Sequence, residues 1–456
     1  MALIGLGSAC SSENTETLLP APVDASTADT SNGTDAGVDA TPPGPTCTIE
    51  APTLGTGTKW CDLPGTDANE VEVPPEFCVR EFTPQGKSIP EARVMKFAPN
   101  GDLFVTAPSM TTVGGASLGR GVIEVLADDD GDGRADDIVD FAGPWPANGT
   151  PLCSTLEADA NALPCVHGLL FSGGYVYFSR SDEVRRWPYA SGDRKAPATE
   201  SELVAKLGGV GIADVRWTHT LEAKKDGNIL VSRGRGDTDS CSEEQMTRGA
   251  VFALNVAGTT STPALPLTPE LVADGFRNPM YLRCSPSSCG DCYASELSGD
   301  NWDSIGGREK LALLDKGSHW GYPCCVGLGE LNSLPGTGAT SANCTNVGKE
   351  LVAIELHDTN FGLDFDRGWF PEPYRHGLFI ALHGVFTSFG GTGIVYIGAD
   401  KTSLRPSTQP KLFAKGFSPN GRATDVAFSP DGRLFVADDT GGKIYWIAPR
   451  TLAKPK

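Results

Sequence analysis

One pattern of polar and apolar positions recurs along the chain. A turn built on Gly, Asp or Asn is followed by a short run of large apolar residues, and this happens six times: "PNGDLFVTA" (99–107), "SGGYVYFSR" (172–180), "KDGNILVSR" (225–233), "CGDCYASEL" (289–297), "YRHGLFIAL" (374–382) and "PDGRLFVAD" (430–438). A second apolar run follows each copy ("GVIEVL", "VRRWPY", "AVFALN", "KLALL", "GIVYIG", "KIYWIA"), and a shorter one precedes it, as in "ARVMKFA" and "TDVAFS". Runs of this length between turn residues predict β-strands, and no long stretch carries the helical period. Strand, turn, strand and outer strand, six times over, predicts an all-β fold, a six-bladed β-propeller over residues 85–456. The alternative is a sandwich with coincidental Asp-Gly turns, which six copies disfavour. Blades of roughly 60 residues exceed the usual propeller repeat, so long loops must decorate one face.

The segment before residue 85 has a different pattern. Residues 11–45 are rich in Ser, Thr, Asp, Ala and Pro, with few large apolar side chains, and predict a disordered tether. Residues 46–84, with Cys47, Cys61 and Cys78, read as a Cys-rich lead-in stapled by disulfides. Residues 1–10, "MALIGLGSAC", resemble the end of a bacterial lipoprotein signal, with Cys10 as the lipidated residue. A basic leader is missing, which would put the true start upstream. Lipidation of Cys10 leaves twelve of the thirteen cysteines for pairing. That number fits an exported protein in an oxidising compartment, the periplasm or the outer membrane and cell surface, held to the membrane only by its lipid. Cys153 with Cys165 is the expected local bridge. Cys324 and Cys325 are expected to pair elsewhere, one of them with Cys344, rather than with each other. Cys289 and Cys292 form a C-x-x-C, but no second such pair or suitable His pair lies near, which disfavours zinc.

Charge narrows the partners. The formal net charge is −20, which argues against nucleic acid, since phosphate binding needs a cationic surface. Against that background the residues leading into the innermost strands are basic: Arg93, His167, Arg216, His219, Arg277, Asn278 and Arg422. In a propeller these positions gather around one axial mouth, and guanidinium groups there predict a small polycarboxylate or phosphate ligand. The alternative is that some of these arginines pair with Asp on neighbouring blades. A second cluster, "ADDDGDGRADD" (127–137), spaces Asp128, Asp130, Asp132 and Asp136 like an acidic calcium loop, although Val139 stands where a closing Glu is expected. It is expected to be a peripheral structural calcium site, or else a solvated acidic hairpin.

The stretches "GFRNPMYL", "EKLALLDKGSHWGYPCC", "HGLFIALHG" and "GRATDVAFSPDGRLFVADDTGGKIYWI" resemble the soluble quinoprotein glucose and sorbosone dehydrogenases, from about residue 85 to the end. The Arg-Asn-Pro and Gly-Tyr-Pro elements are the most specific parts; the Asp-Gly turns are generic to propellers. The resemblance implies pyrroloquinoline quinone (PQQ), a cofactor with three carboxylates, in the axial mouth. It also implies Ca2+ polarising the quinone, and a His that takes the substrate's hydroxyl proton while hydride passes to the quinone. Carried onto matching positions, Arg277 and Asn278 contact the cofactor and Arg422 binds a carboxylate. "ELSGDNWD" (296–303), with Ser298 and Gly299, falls where family members bind calcium, largely through backbone carbonyls.

The base is where this chain departs. Sorbosone-type relatives read H-W-T-R before the strand turn, whereas this chain reads R-W-T-H, with Arg216 at the base position and His219 at the Arg. Arg cannot act as a base at ordinary pH. His219 is the expected base, with His167 and His383 in reserve. His319, His357 and His376 are expected to be structural or surface residues.

Three functions remain from different classes. One is a PQQ dehydrogenase of an aldose or related aldehyde or hydroxy compound, passing electrons to a periplasmic acceptor. Another is a catalytically silent propeller that binds a glycan or protein partner. The third, a lactonase-type metal propeller, needs axial carboxylates and Asn on calcium where this chain has Arg and His.

Overall fold

The computed structural model describes residues 46–455, except 65–67, 69, 109–120, 146–158, 164, 181–182, 208–217, 235–240, 242–248, 257–263, 300, 328, 349–351, 385–392 and 418–420. Six antiparallel sheets account for most of it, and each predicted repeat forms the heart of one sheet. Blade 1 runs Met95–Phe97, Leu103–Ala107, Val122–Ala127, Asp137–Ala142; blade 2, Leu169–Ser172, Tyr175–Arg180, Glu183–Pro188, Glu202–Lys206. Blade 3 is Leu221–Ala223, Ile229–Arg233, Gly249–Leu254, Glu270–Phe276, and blade 4 is Asn278–Cys284, Cys292–Leu297, Arg308–Leu313, Val352–Glu355. Blade 5 is Asn360–Phe365, Leu378–Leu382, Gly393–Ile397, Lys411–Ala414. The first strands of successive blades touch in a closed circle, blade 6 against blade 1, which makes the fold a six-bladed β-propeller.

Blade 6 corrects the expected boundary at residue 85. Its first three strands, Ala423–Phe428, Leu434–Asp438 and Lys443–Pro449, come from the end of the chain, and the fourth is Phe77–Glu81 from the lead-in, in register Phe77↔Pro449 to Glu81↔Tyr445. The ring is therefore closed by a strand from each end of the propeller, and residues 77–81 belong to it. Two disulfides fasten the lead-in, Cys61–Cys78 within it and Cys47–Cys289 onto blade 4's first turn. Cys284–Cys292 joins the first two strands of blade 4. Cys241–Cys324 and Cys325–Cys344 hold the long excursion between the last two strands of that blade. So Cys324 and Cys325 pair elsewhere, and neither Cys of the C-x-x-C is left for zinc. Cys165 is also disulfide-bonded; Cys153 lies outside the described residues.

The second strands read as unbroken apolar runs because blades stack face to face and bury both sides. Leu103–Ala107, Leu378–Leu382 and Leu434–Asp438 are buried at every position. Where inner strands of adjacent blades approach most closely, only Gly fits. A Cβ on Gly168 would lie 2.3 Å from the His219 carbonyl oxygen, and one on Gly362 would lie 1.9 Å from Asp425 Oδ1.

A side-chain device repeats between blades. Thr106, Ser179 and Ser295, on second strands, each accept a backbone N–H from their own inner strand (Val94, Gly168 and Tyr281). Each then donates to a carbonyl at the start of the next blade's inner strand: Thr106 to His167, Ser179 to His219, Ser295 to Phe361, at 2.6–2.9 Å. These hydroxyls fix the residues that open each inner strand. Their signal was present in the repeat, where Thr106, Ser179 and Ser232 stand eighth in the quoted copies and Ser295 seventh.

Candidate active site at the axial mouth

The inner strands all begin at one end of the ring, so their opening residues meet there. A chain of contacts joins them across blades. Asn278 accepts from the Thr218 hydroxyl at 2.9 Å. Thr220 Oγ1 donates to the Met280 carbonyl at 2.6 Å and lies 3.5 Å from His167 Nδ1. The His167 ring packs 5.4 Å from that of Tyr281, whose hydroxyl donates to the Arg93 carbonyl. The Arg93 guanidinium donates to Asp439 and Glu91, and Asp439 leads to His383 and Arg422. His167, His219, Arg277, Asn278, Arg93 and Arg422, all expected at the mouth, are brought together and buried there. Arg216 lies outside the described residues.

The arginines differ in what they hold. Arg93 is shared between Glu91 and Asp439, on either side of the seam where the ring closes. Arg422 donates through Nε to the His383 carbonyl and through Nη2 to the Gly384 carbonyl and His383 Nδ1. Pairing with a neighbouring blade's Asp is thus realised at Arg93. Arg277 lies within the electrostatic reach of two buried carboxyls, Glu296 and Glu309, and its backbone N–H donates to Glu296 Oε1 at 2.7 Å. Burial pushes Glu296 up to about 7 against the pull of Lys310 and Arg277. Burial likewise raises Glu309 to about 7, despite the Ser298 N–H donating to its Oε2. Glu91, Asp439, Glu296 and Glu309 were not singled out in the sequence. Asp439, Glu296 and Glu309 lie within quoted stretches, whereas Glu91 lies outside them.

The imidazoles have different roles. His219 Nδ1 lies 2.9 Å from the Ser232 carbonyl, an acceptor only, so Nδ1 carries the proton and Nε2 the lone pair a base needs. Burial, with the charges of Arg93 and His219, holds His167 well below the usual range and therefore neutral. His383 is committed on both nitrogens. Its Nδ1 faces Arg422, a pure donor, so Nε2 carries the proton and donates to Asp439 Oδ2 at 2.9 Å, while the ring stacks on Phe361 with centroids 4.2 Å apart. His383 is a strut, not a base. Of the three expected to be structural or superficial, His319 pairs with Asp274, and His357 and His376 sit at turns with positive φ.

Burial, only partly offset by Asp439, pushes His383 down to about 4. An unfolded His titrates near 6.5, so between these values the unfolded chain binds the extra proton. The stability His383 confers is present above pH about 6.5 and lost as pH falls towards 4, by about 3 kcal/mol. His383→Gln should flatten that part of the stability profile, read as urea midpoints at pH 7 and pH 4.5.

The acidic loop links the third and fourth strands of blade 1. Asp128, Asp130 and Asp132 each bring a carboxylate oxygen within 4.8 Å of the others. Asp136 is not part of that group; its Oδ2 accepts the Asp129 N–H at 2.7 Å. At the other expected calcium stretch, Ser298 Oγ and Glu296 Oε2 are buried without a hydrogen-bond partner among the described residues.

Solved structures of the same architecture carry printed functions. A calcium structure of Trichoderma reesei Carbohydrate-Active Enzymes Family AA12 aligns over 87% of this chain and 98% of its own, at TM-score 0.61 and 18% identity. The holo PQQ domain of Coprinopsis cinerea pyranose dehydrogenase aligns over 83% and 97%, at TM-score 0.61 and 16% identity. The PQQ-bound aldose sugar dehydrogenase of Streptomyces coelicolor aligns over 83% and 99%, at TM-score 0.53 and 14% identity. This is the fold of the PQQ sugar dehydrogenases. At these identities the likeness extends to the fold. No protein-family model matches the chain, and no curated protein matches it in sequence.

Proposed function

We infer that the protein is a PQQ-dependent dehydrogenase that oxidises an aldose sugar or a related aldehyde or hydroxy compound. The observation that carries this is the His219–His167 pair, buried beside Arg277 and Asn278 at the mouth of a propeller with the sugar-dehydrogenase fold, with His167 held neutral. The donor set suits a tricarboxylate quinone: Arg277 and Asn278 on one side, the Arg422 guanidinium on the other. The orphaned Ser298 hydroxyl and Glu296 oxygen suit a calcium ion beside it. Bound there, the quinone would supply a two-electron acceptor for the substrate's hydride. The chain's own part is to orient the sugar hydroxyl and take its proton at His219 Nε2. Ser232 fixes the tautomer, and His167 supplies a second neutral imidazole beside it.

The test is a titration of PQQ with calcium into the protein. At a hundred times its dissociation constant the cofactor should add about 2.7 kcal/mol of stability, and Arg277→Ala should abolish that gain. With an aldose and a dye acceptor, His219→Ala should lower kcat about 100-fold or more while PQQ still binds. The reverse split, with His167→Ala crippling kcat and His219→Ala sparing it, would move the base to His167.

A second reading has an observation of its own. Arg93 is neutralised by Glu91 and Asp439, and Arg422 spends donors on backbone carbonyls, as in a silent propeller that binds a glycan or protein. Absence of any PQQ-dependent stabilisation would favour it. The disulfides accord with an exported protein, anchored at Cys10 and delivering electrons to a periplasmic acceptor. Asp128, Asp130 and Asp132 would then hold a structural calcium.

A further inference from the structure

The inner strands also carry charge at their far end, away from the mouth. There Lys96, Glu222, Arg283, Asp364 and Asp425 converge from five blades. Both oxygens of each acid are engaged. Asp364 accepts the Phe365 and Phe428 backbone N–H groups, and Asp425 those of Val426 and Met95, at 2.7–2.8 Å. Glu222 accepts from Lys96, Arg283 and the Cys284 N–H. The bases are not fully engaged. Among the described residues Lys96 Nζ donates once, to Glu222, and Arg283 donates to Glu222 and the Leu363 carbonyl. Among the described residues Arg367 makes no hydrogen bond, its nearest carboxylate being Asp364 at 3.8 Å. An ammonium has three donors and a guanidinium five, so donor capacity remains on all three bases.

These unfilled donors line one cavity of about 300 Å³. Its lining is also aromatic, with Trp369 stacked on Phe428 (centroids 6.2 Å apart, planes at 22°) and Gly432 packed against the indole. The Arg367 guanidinium stands 5.9 Å from the Trp369 centroid. Both residues also line a neighbouring cavity of about 440 Å³ beside residues 49–53. The size is at the lower end of small-molecule sites. Burial and the charge of Arg283 push the Lys96 ammonium below its usual range, which a bound anion would relieve.

We propose that this rear basin binds a small organic carboxylate with a flat apolar body, the carboxylate meeting Arg367 and Lys96 and the body lying on Trp369. An anion is selected because three cationic side chains, Lys96, Arg283 and Arg367, line the cavity against one carboxylate, Asp364, whose two oxygens already accept the Phe365 and Phe428 N–H groups. The flat body is selected by the indole face, and Arg rather than Lys at the rim permits a two-pronged grip. The site is independent of the mouth and of any dehydrogenase activity.

Benzoate is the probe, titrated into the full chain with tryptophan fluorescence and calorimetry as readouts. The expected result is saturable binding, with benzyl alcohol at least about tenfold weaker. Arg367→Ala, at a partly exposed position (side chain 35% accessible), should weaken benzoate about tenfold or more, the size expected for a charge-assisted pair, with an unchanged urea midpoint as the check that the variant folds. Arg277→Ala should leave it unchanged. No saturable binding, binding indifferent to Arg367→Ala, or binding lost in Arg277→Ala would each overturn the assignment, the last by placing benzoate at the mouth.

Discussion

A chain that begins at residue 85 is expected not to fold, whereas one that begins at residue 46 should unfold cooperatively. The shorter chain loses Phe77–Glu81, the strand that completes blade 6, and leaves the strand Lys443–Pro449, buried at all but its first position, as an open edge. Such an edge invites intermolecular pairing. It also loses Phe77, whose ring sits 4.9–5.3 Å from those of Phe370, Tyr374 and Phe413. Trp60 goes too; it lies under the Arg433 guanidinium at 3.5 Å and edge-on to Trp446. Removing a buried large aromatic costs about 3–5 kcal/mol, and a native disulfide such as Cys47–Cys289 a further 2–5 kcal/mol or so. Together these losses reach the whole stability of an ordinary domain, about 5–15 kcal/mol. Soluble yield and near-UV circular dichroism of the two chains decide it. Equal melting transitions would show that the closing strand contributes nothing.

Asp439→Ala should lower stability by about 3–5 kcal/mol, the cost of breaking a buried ion pair by removing one partner. Arg93 and Asp439 are both nearly inaccessible (3% and 4%). Burial opposes the ionised form of Asp439, yet the charges of Arg93, His383 and Arg422 hold it well below the usual carboxylate range. Its loss takes one of the two carboxylates from Arg93, which keeps Glu91, and removes the acceptor of the His383 Nε2 proton. Because His383 positions Arg422, the proposed binding of PQQ should weaken as well. Asp439→Asn, which keeps one acceptor oxygen, should lose less. The paired replacement Arg93→Met with Asp439→Leu should regain much of the stability without regaining cofactor binding. Urea unfolding of the three variants checks this; an Asp439→Ala midpoint equal to the parent's would refute it.

The sequence by itself determined the blades and the end of the ring at which the inner strands begin. Both follow from local chemistry. A Gly-Asp turn and a run such as "GRLFVAD" specify a hairpin wherever the chain happens to be, and six copies specify six blades. With the period known, His167, His219, Arg277 and Arg422 fall at equivalent places, and the structure does bury them together. What the tertiary structure alone decided depends on residues far apart in the chain. Arg93 meets Asp439 across 346 positions, Cys47 meets Cys289 across 242, and Phe77–Glu81 pairs with the last strand of the chain. No local pattern encodes such partners, because ring closure brings the two ends together only after all six blades are in place. The same holds for charge. A net charge of −20 made the arginines look like an open anion pocket, but some of those surplus carboxylates, Glu91 and Asp439 among them, lie at the mouth itself. Which charges neutralise one another is set by distance in space, and the composition carries no record of it.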